Sequence, residues 1–207
     1  REPPRSVVAR STESPPRFSD LFADSIRGRA ITLFIAQFLF VWAYAASIFL
    51  FPSFLREVRA LDAFNFSLLI GAGNAIGVLG YVLAAWIGER VWTRRNTVVL
   101  WTLLGALLFQ VLVWVPTSFG QILLVYALMS MFFYGSAAVK FAYLAEVFPT
   151  RIRALAMACC GSLAVTLGSA AGPYTVSLAV ESWGWQLGYA TLVGVPLALS
   201  GLLYLTL

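Results

Sequence analysis

Six long apolar stretches, at about 30–51, 66–88, 97–115, 120–145, 154–180 and 186–207, divide the chain. Short polar breaks at 52–65, 89–96, 116–119, 146–153 and 181–185 separate them. Each stretch reaches the ~20 residues that an α-helix needs to cross a bilayer, and the longer ones have room to tilt. The pattern predicts an all-α, polytopic membrane protein: a six-helix bundle over residues 29–207. Residues 1–28 mix Pro, Ser and charge without periodicity. They read as a linker, with a short interfacial helix at Phe18–Ile26.

Composition agrees. Of 207 residues, 60% are hydrophobic and only 11% charged, against roughly 25% charged in a soluble domain. The apolar run 194–207 ends without a polar tail, so the chain reads as a piece of a longer protein. Cys159 and Cys160 are neighbours; on a helix they point ~100° apart, which suits packing rather than a disulfide. No His is present, and no metal-ligand spacing exists, so neither a metal nor a cofactor is expected.

The net charge of +5 bears on topology rather than on nucleic acid. The linker carries Arg1, Arg5, Arg10, Arg17, Arg27 and Arg29. The second-to-third break carries Arg90, Arg94 and Arg95, and the fourth-to-fifth carries Arg151 and Arg153. The alternate breaks hold only Arg56 and Arg59. Excess Arg marks cytoplasmic loops, so the linker and the Glu146 loop should be cytoplasmic in a plasma (inner) membrane. Trp86, Trp92 and Trp101 then fall near one interface, and Trp114, Trp183 and Trp185 near the other, as an aromatic belt requires. Small-residue stripes, Gly73/Gly77/Gly80 and Gly161/Gly168/Gly172, allow close helix contacts.

Two of the basic breaks also hold acids: Glu89-Arg90-Val-Trp92-Thr-Arg94-Arg95, and Glu146-Val-Phe-Pro149-Thr-Arg151-Ile-Arg153. A carboxylate at a helix C-terminus opposes the macrodipole and gains from a nearby cation. Arg90, Arg94 and Arg153 are the candidates for Glu146. Such pairs would form a weak latch between helices; ordinary positive-inside charge without coupling is the simpler alternative. The second segment resembles the Glu-x-x-Pro-x-x-x-Arg signature that follows the tenth helix of sugar porters and metabolite–proton symporters of the major facilitator superfamily. The first resembles that superfamily's acid-then-arginine loop motif after the eighth helix, departing at Trp92 and Ala85, where the family more often has Gly. The resemblance implies helices seven to twelve of a twelve-helix transporter, preceded by its central cytoplasmic linker, with the N-terminal six-helix half as partner. It also implies that Glu89, Arg90, Arg94, Arg95, Glu146, Arg151 and Arg153 belong to a cytoplasmic charge network.

In such folds the substrate lies near the bilayer midplane. Gln37, Trp42 and Tyr44 on the first span, Asn74 on the second, and Ser130 and Tyr134 on the fourth are the polar or aromatic candidates at suitable depth; each alone is more often a helix contact, but as a set over three helices they would line a cavity. Lys140 is the only lysine and the only charge inside a span. It would either pair with an anionic substrate or reach along its stem to lipid headgroups. No His, and no pair of intramembrane carboxylates, supports an enzyme. The expected function is secondary transport of a small polar metabolite (an organic acid, aromatic acid or sugar) by alternating access with proton symport. A non-transporting scaffold or receptor is the alternative.

Overall fold

The computed structural model describes residues 17–207; the stretch 1–16, with Arg1, Arg5 and Arg10 of the expected linker, lies outside the described residues. Among the described residues every regular element is helical. A 3-10 turn, Phe18–Phe22, precedes α1 (Asp24–Phe49), and the chain continues through α2 (Phe51–Glu57), α3 (Ala63–Arg90), α4 (Arg94–Trp114), α5 (Phe119–Val147), α6 (Thr150–Trp183) and α7 (Trp185–Leu203). All but α2 are long and apolar enough to cross a membrane, which gives six such helices among the described residues.

Local chemistry sets the helix ends. The side chains of Asp62, Thr93 and Ser118 accept bonds from the backbone N–H three residues on, at α3, α4 and α5 respectively, and satisfy otherwise orphaned donors. Gly184, at φ 79°, breaks α6 from α7 in a conformation that favours glycine.

Two boundaries differ from the sequence pattern. The expected interfacial helix Phe18–Ile26 is a 3-10 turn followed directly by α1. Leu21 is buried in the cluster that holds Ala30, Ile152 and Cys160, so this end of the linker folds back onto α1 and α6. The break at 52–65 contains α2. Pro52 sits in its first turn, where a missing N–H costs nothing, and Phe51, Phe54 and Leu55 are buried beneath it. Phe51, Phe54 and Leu55 share one face at i, i+3 and i+4, but seven residues are too few for that periodicity to stand out.

Helix α3 lies along α5, α5 along α4, α4 along α7, and α1 packs between α6 and α7. Glycines set the closest approaches. A Cβ on Gly77 would stand 2.7 Å from the Tyr134 ring, and one on Gly168 2.9 Å from the Trp42 backbone nitrogen. Helices α3 and α6 are buried over only 28% of their most apolar windows, against 50–56% for the other four. Within this bundle they are the two helices with the most surface to spare. Helix α6 passes through a π segment at Met157–Leu163, whose wider turn brings the Cys160 thiol to 3.4 Å from the Ala30 carbonyl.

Candidate functional site

At the end of the bundle that carries the arginine-rich loops, Arg94 opens α4. Its Nη1 lies 3.0 Å from Glu146 Oε1 at the end of α5, and its Nη2 lies 3.3 Å from Glu89 Oε1 at the end of α3. One guanidinium therefore joins three membrane-length helices. A cation at a helix N-terminus and a carboxylate at a C-terminus each oppose their own macrodipole; pairing them across antiparallel α4 and α5 offsets both penalties. The side chains are 28% exposed for Arg94, 60% for Glu89 and 54% for Glu146. At that exposure each pair is worth about 0–1 kcal/mol. A 60 Å³ crevice lined by Gly88, Val139 and Ala142 lies behind the cluster.

The remaining basic residues divide differently from the sequence expectation. Arg90, Arg95 and Arg153 are exposed and form no ion pair among the described residues. Arg151 pairs with Asp20 at 3.3 Å and ties the start of α6 to the Phe18–Phe22 turn. Of the three arginines expected as partners for Glu146, only Arg94 meets it.

Midway along the bundle, α1, α3 and α5 bring an aromatic and amide cluster together. The hydroxyls of Tyr126 and Tyr134 both donate to Asn74 Oδ1 at 3.1 Å. Tyr81 stacks on Tyr134 with centroids 5.4 Å apart. Tyr44 lies 6.4 Å from Tyr134 and 6.0 Å from Phe133. Tyr44 and Tyr134 are half-buried, and Tyr81 is 41% exposed. The cluster thus offers ring faces and hydroxyl oxygens on a face that this bundle does not cover.

Of the candidates read from sequence, the structure gathers Tyr44, Asn74 and Tyr134. Ser130 is buried against Gly77, in the α3–α5 contact. Trp42 lies on the α6 side of α1: Gly168 and Gly172 of α6 pack on its backbone, and its buried indole Nε1 has no hydrogen-bond partner among the described residues. Gln37 is buried one turn before Phe40. Tyr81 and Tyr126 were missed. Both lie about two turns from a candidate on the same helix, Tyr81 from Asn74 and Tyr126 from Tyr134, and that helical spacing was the available signal.

Lys140 is 1% exposed, so it neither reaches a headgroup nor opens onto the tyrosines. Its Nζ sits 3.2 Å from the centroid of Phe40 and 5.5 Å from that of Tyr204, and it donates to Ser200 Oγ at 3.5 Å. No carboxylate pairs with it among the described residues. An ammonium over a desolvated ring face gains about 2 kcal/mol, which offsets part of the cost of burying it. No group of His, Cys, Asp or Glu suited to a metal ion occurs among the described residues.

The protein-family model described as Major Facilitator Superfamily matches residues 2–207. No curated protein matches the chain.

Proposed function

The chain belongs to the major facilitator superfamily, a family of membrane transporters, and from that premise we propose that it moves a small polar metabolite by alternating access with proton symport. The membership and the six membrane-length helices make it an integral, multi-pass membrane protein. The substrate, in this reading, is an organic acid, an aromatic acid or a sugar. It meets the chain at the tyrosine–asparagine wall of α1, α3 and α5.

One observation carries the reading. Asn74, Tyr126 and Tyr134 form a bonded polar group at mid-depth, and Tyr44 and Tyr81 extend it with half-open rings. Polar side chains at that depth are costly unless a solute or another helix uses them. The spare surface of α3 and α6 is where a second six-helix half of the same protein would close the cavity. The arginine-rich end would face the cytoplasm of a cell bounded by its plasma membrane. There Arg94, Glu89 and Glu146 would part as the site opens inward.

The test is uptake by the full-length protein in proteoliposomes under an imposed pH gradient, with radiolabelled benzoate, succinate and glucose as probes. At least one should accumulate, and dissipating the gradient should abolish its accumulation. Tyr134→Phe and Asn74→Ala should each raise its KM about tenfold, the scale of one lost hydrogen bond to a site built around it (about 1.4 kcal/mol). A probe that binds without accumulating would identify a receptor or scaffold instead.

A further inference from the structure

We propose that Lys140 is a positioning residue for the solute-facing Tyr44 ring, acting through Phe40, and not a binding residue for a substrate anion. The proposal rests on the reading of the tyrosine–asparagine wall as the solute site, and it adds the part that holds the wall in place.

The geometry is a relay through three helices. Ser200 of α7 donates to the Ala36 carbonyl of α1 at 2.7 Å. Its only hydrogen is thereby used, so its oxygen is left to accept from Lys140 Nζ. Through Lys140, helix α5 meets Ser200 of α7 and Phe40 of α1 together, and the two contacts hold the nitrogen over the face of Phe40. Phe40 is itself 2% exposed and stacks with Tyr44 at 5.9 Å and 19°. Tyr44 then touches Tyr134, which is bonded to Asn74.

A buried lysine nitrogen with no carboxylate beside it among the described residues is held by whichever π face and hydroxyl it can find. Phe40 is that face, so any rotation of its ring costs the ammonium its partner. The cation restrains Phe40, and the stack passes the restraint to Tyr44. A purely packing side chain of the same length would fill the space without selecting a ring orientation. An anion-binding role needs the ammonium to reach the solute, but here the buried ring of Phe40 occupies its face and Lys140 is closed off from the open side of the bundle.

The experiment labels the full-length protein with 3-fluorotyrosine and assigns the Tyr44 fluorine resonance by its loss in Tyr44→Phe. In Lys140→Gln the Tyr44 signal should shift and broaden, while that of Tyr189, bonded to the Ser47 carbonyl, stays in place. Lys140→Arg keeps a cation over the ring and should restore the signal. Uptake of the accumulated probe by Lys140→Gln should show a KM raised about tenfold, about 1.4 kcal/mol, with kcat within about twofold. In a Phe40→Leu background the same substitution should add nothing, because the link is already cut. A Tyr44 resonance unmoved in Lys140→Gln would overturn the proposal. So would a KM effect that persists in Phe40→Leu, which would put Lys140 on the substrate directly. If Lys140→Gln does not fold, Lys140→Met, of similar length but without the charge, decides in its place, and a Tyr44 resonance unmoved there overturns the proposal. If the unsubstituted protein takes up none of the three probes, the transport reading fails, while the fluorine spectra still decide whether Lys140 sets Tyr44.

Discussion

The two ends of the bundle are closed by different physics. At the α2 end the closure is buried. Phe51 stacks on Tyr126 at 4.5 Å, and Phe54 packs on Tyr189 and Trp185. Arg59 donates to the carbonyls of Val113 and Leu112 at the end of α4 and lies over Phe54. The Trp185 indole donates to Glu57 at 2.7 Å, and the Tyr189 hydroxyl to the Ser47 carbonyl at 2.6 Å. At the arginine-rich end a second buried cluster, with Ala84, Val98, Val139 and Leu144, packs α3, α4 and α5, and the polar links that cap it are two half-exposed ion pairs through Arg94. The first kind of closure is strong and slow to undo; the second is weak, salt-sensitive and reversible. A carrier that rearranges at one end while its helices stay together at the other needs this asymmetry.

The sharpest way to break the comparison is to remove a ring at the α2 end. Phe54→Ala should cost roughly 3–5 kcal/mol of stability, seen as a large fall in the unfolding midpoint of the purified protein in detergent. A loss under ~1 kcal/mol would mean that the ring contacts do not hold this end. Arg94→Ala should cost less than half as much stability, because its pairs are exposed. Its effect should appear instead in cycling: uptake of the accumulated probe slower by several-fold, with KM unchanged. Glu146→Gln should do the same more mildly, since Arg94 keeps Glu89. Raising ionic strength from 0.1 to 1 M shortens the screening length from ~10 Å to ~3 Å. That should reproduce the Arg94→Ala phenotype in the unsubstituted protein and leave the stability loss caused by Phe54→Ala unchanged.

The membrane-length helices were legible because ~20 apolar residues in a row have few other uses, and the acid–arginine spacing was legible as charge that must lie at a surface. What the sequence left open was azimuth. Depth along a helix follows from counting residues, but each step also turns the side chain by ~100°. Trp42 and Tyr44 have nearly the same depth, yet one meets the glycines of α6 and the other the tyrosines of α5. Lys140 was open for the same reason: its depth fitted a cavity and a headgroup equally, and only its rotation toward α1 and α7 puts it on Phe40. Helix α2 was hidden because its apolar face, Phe51, Phe54 and Leu55, spans a single turn, too short for a period to show. The choice of Arg94 over Arg90 and Arg153 depends on where α4 begins relative to the end of α5, which no loop composition encodes.

Arg153 gives the finest test of the contrast. The charge motif places it with Glu146, and on that ground alone its removal should slow cycling as much as the removal of Arg94. In the structure it is exposed and forms no ion pair among the described residues, while Arg94 meets the Glu146 carboxylate at 3.0 Å. Arg153→Ala should therefore change stability by less than about 0.5 kcal/mol and leave initial uptake rates within about twofold. An Arg153→Ala defect as deep as that of Arg94→Ala would show that the working network is built in another conformational state, with Glu146 handed from one arginine to the other during the cycle. A near-silent Arg153 beside a slow Arg94 ties the reversible end of the bundle to one guanidinium and two carboxylates.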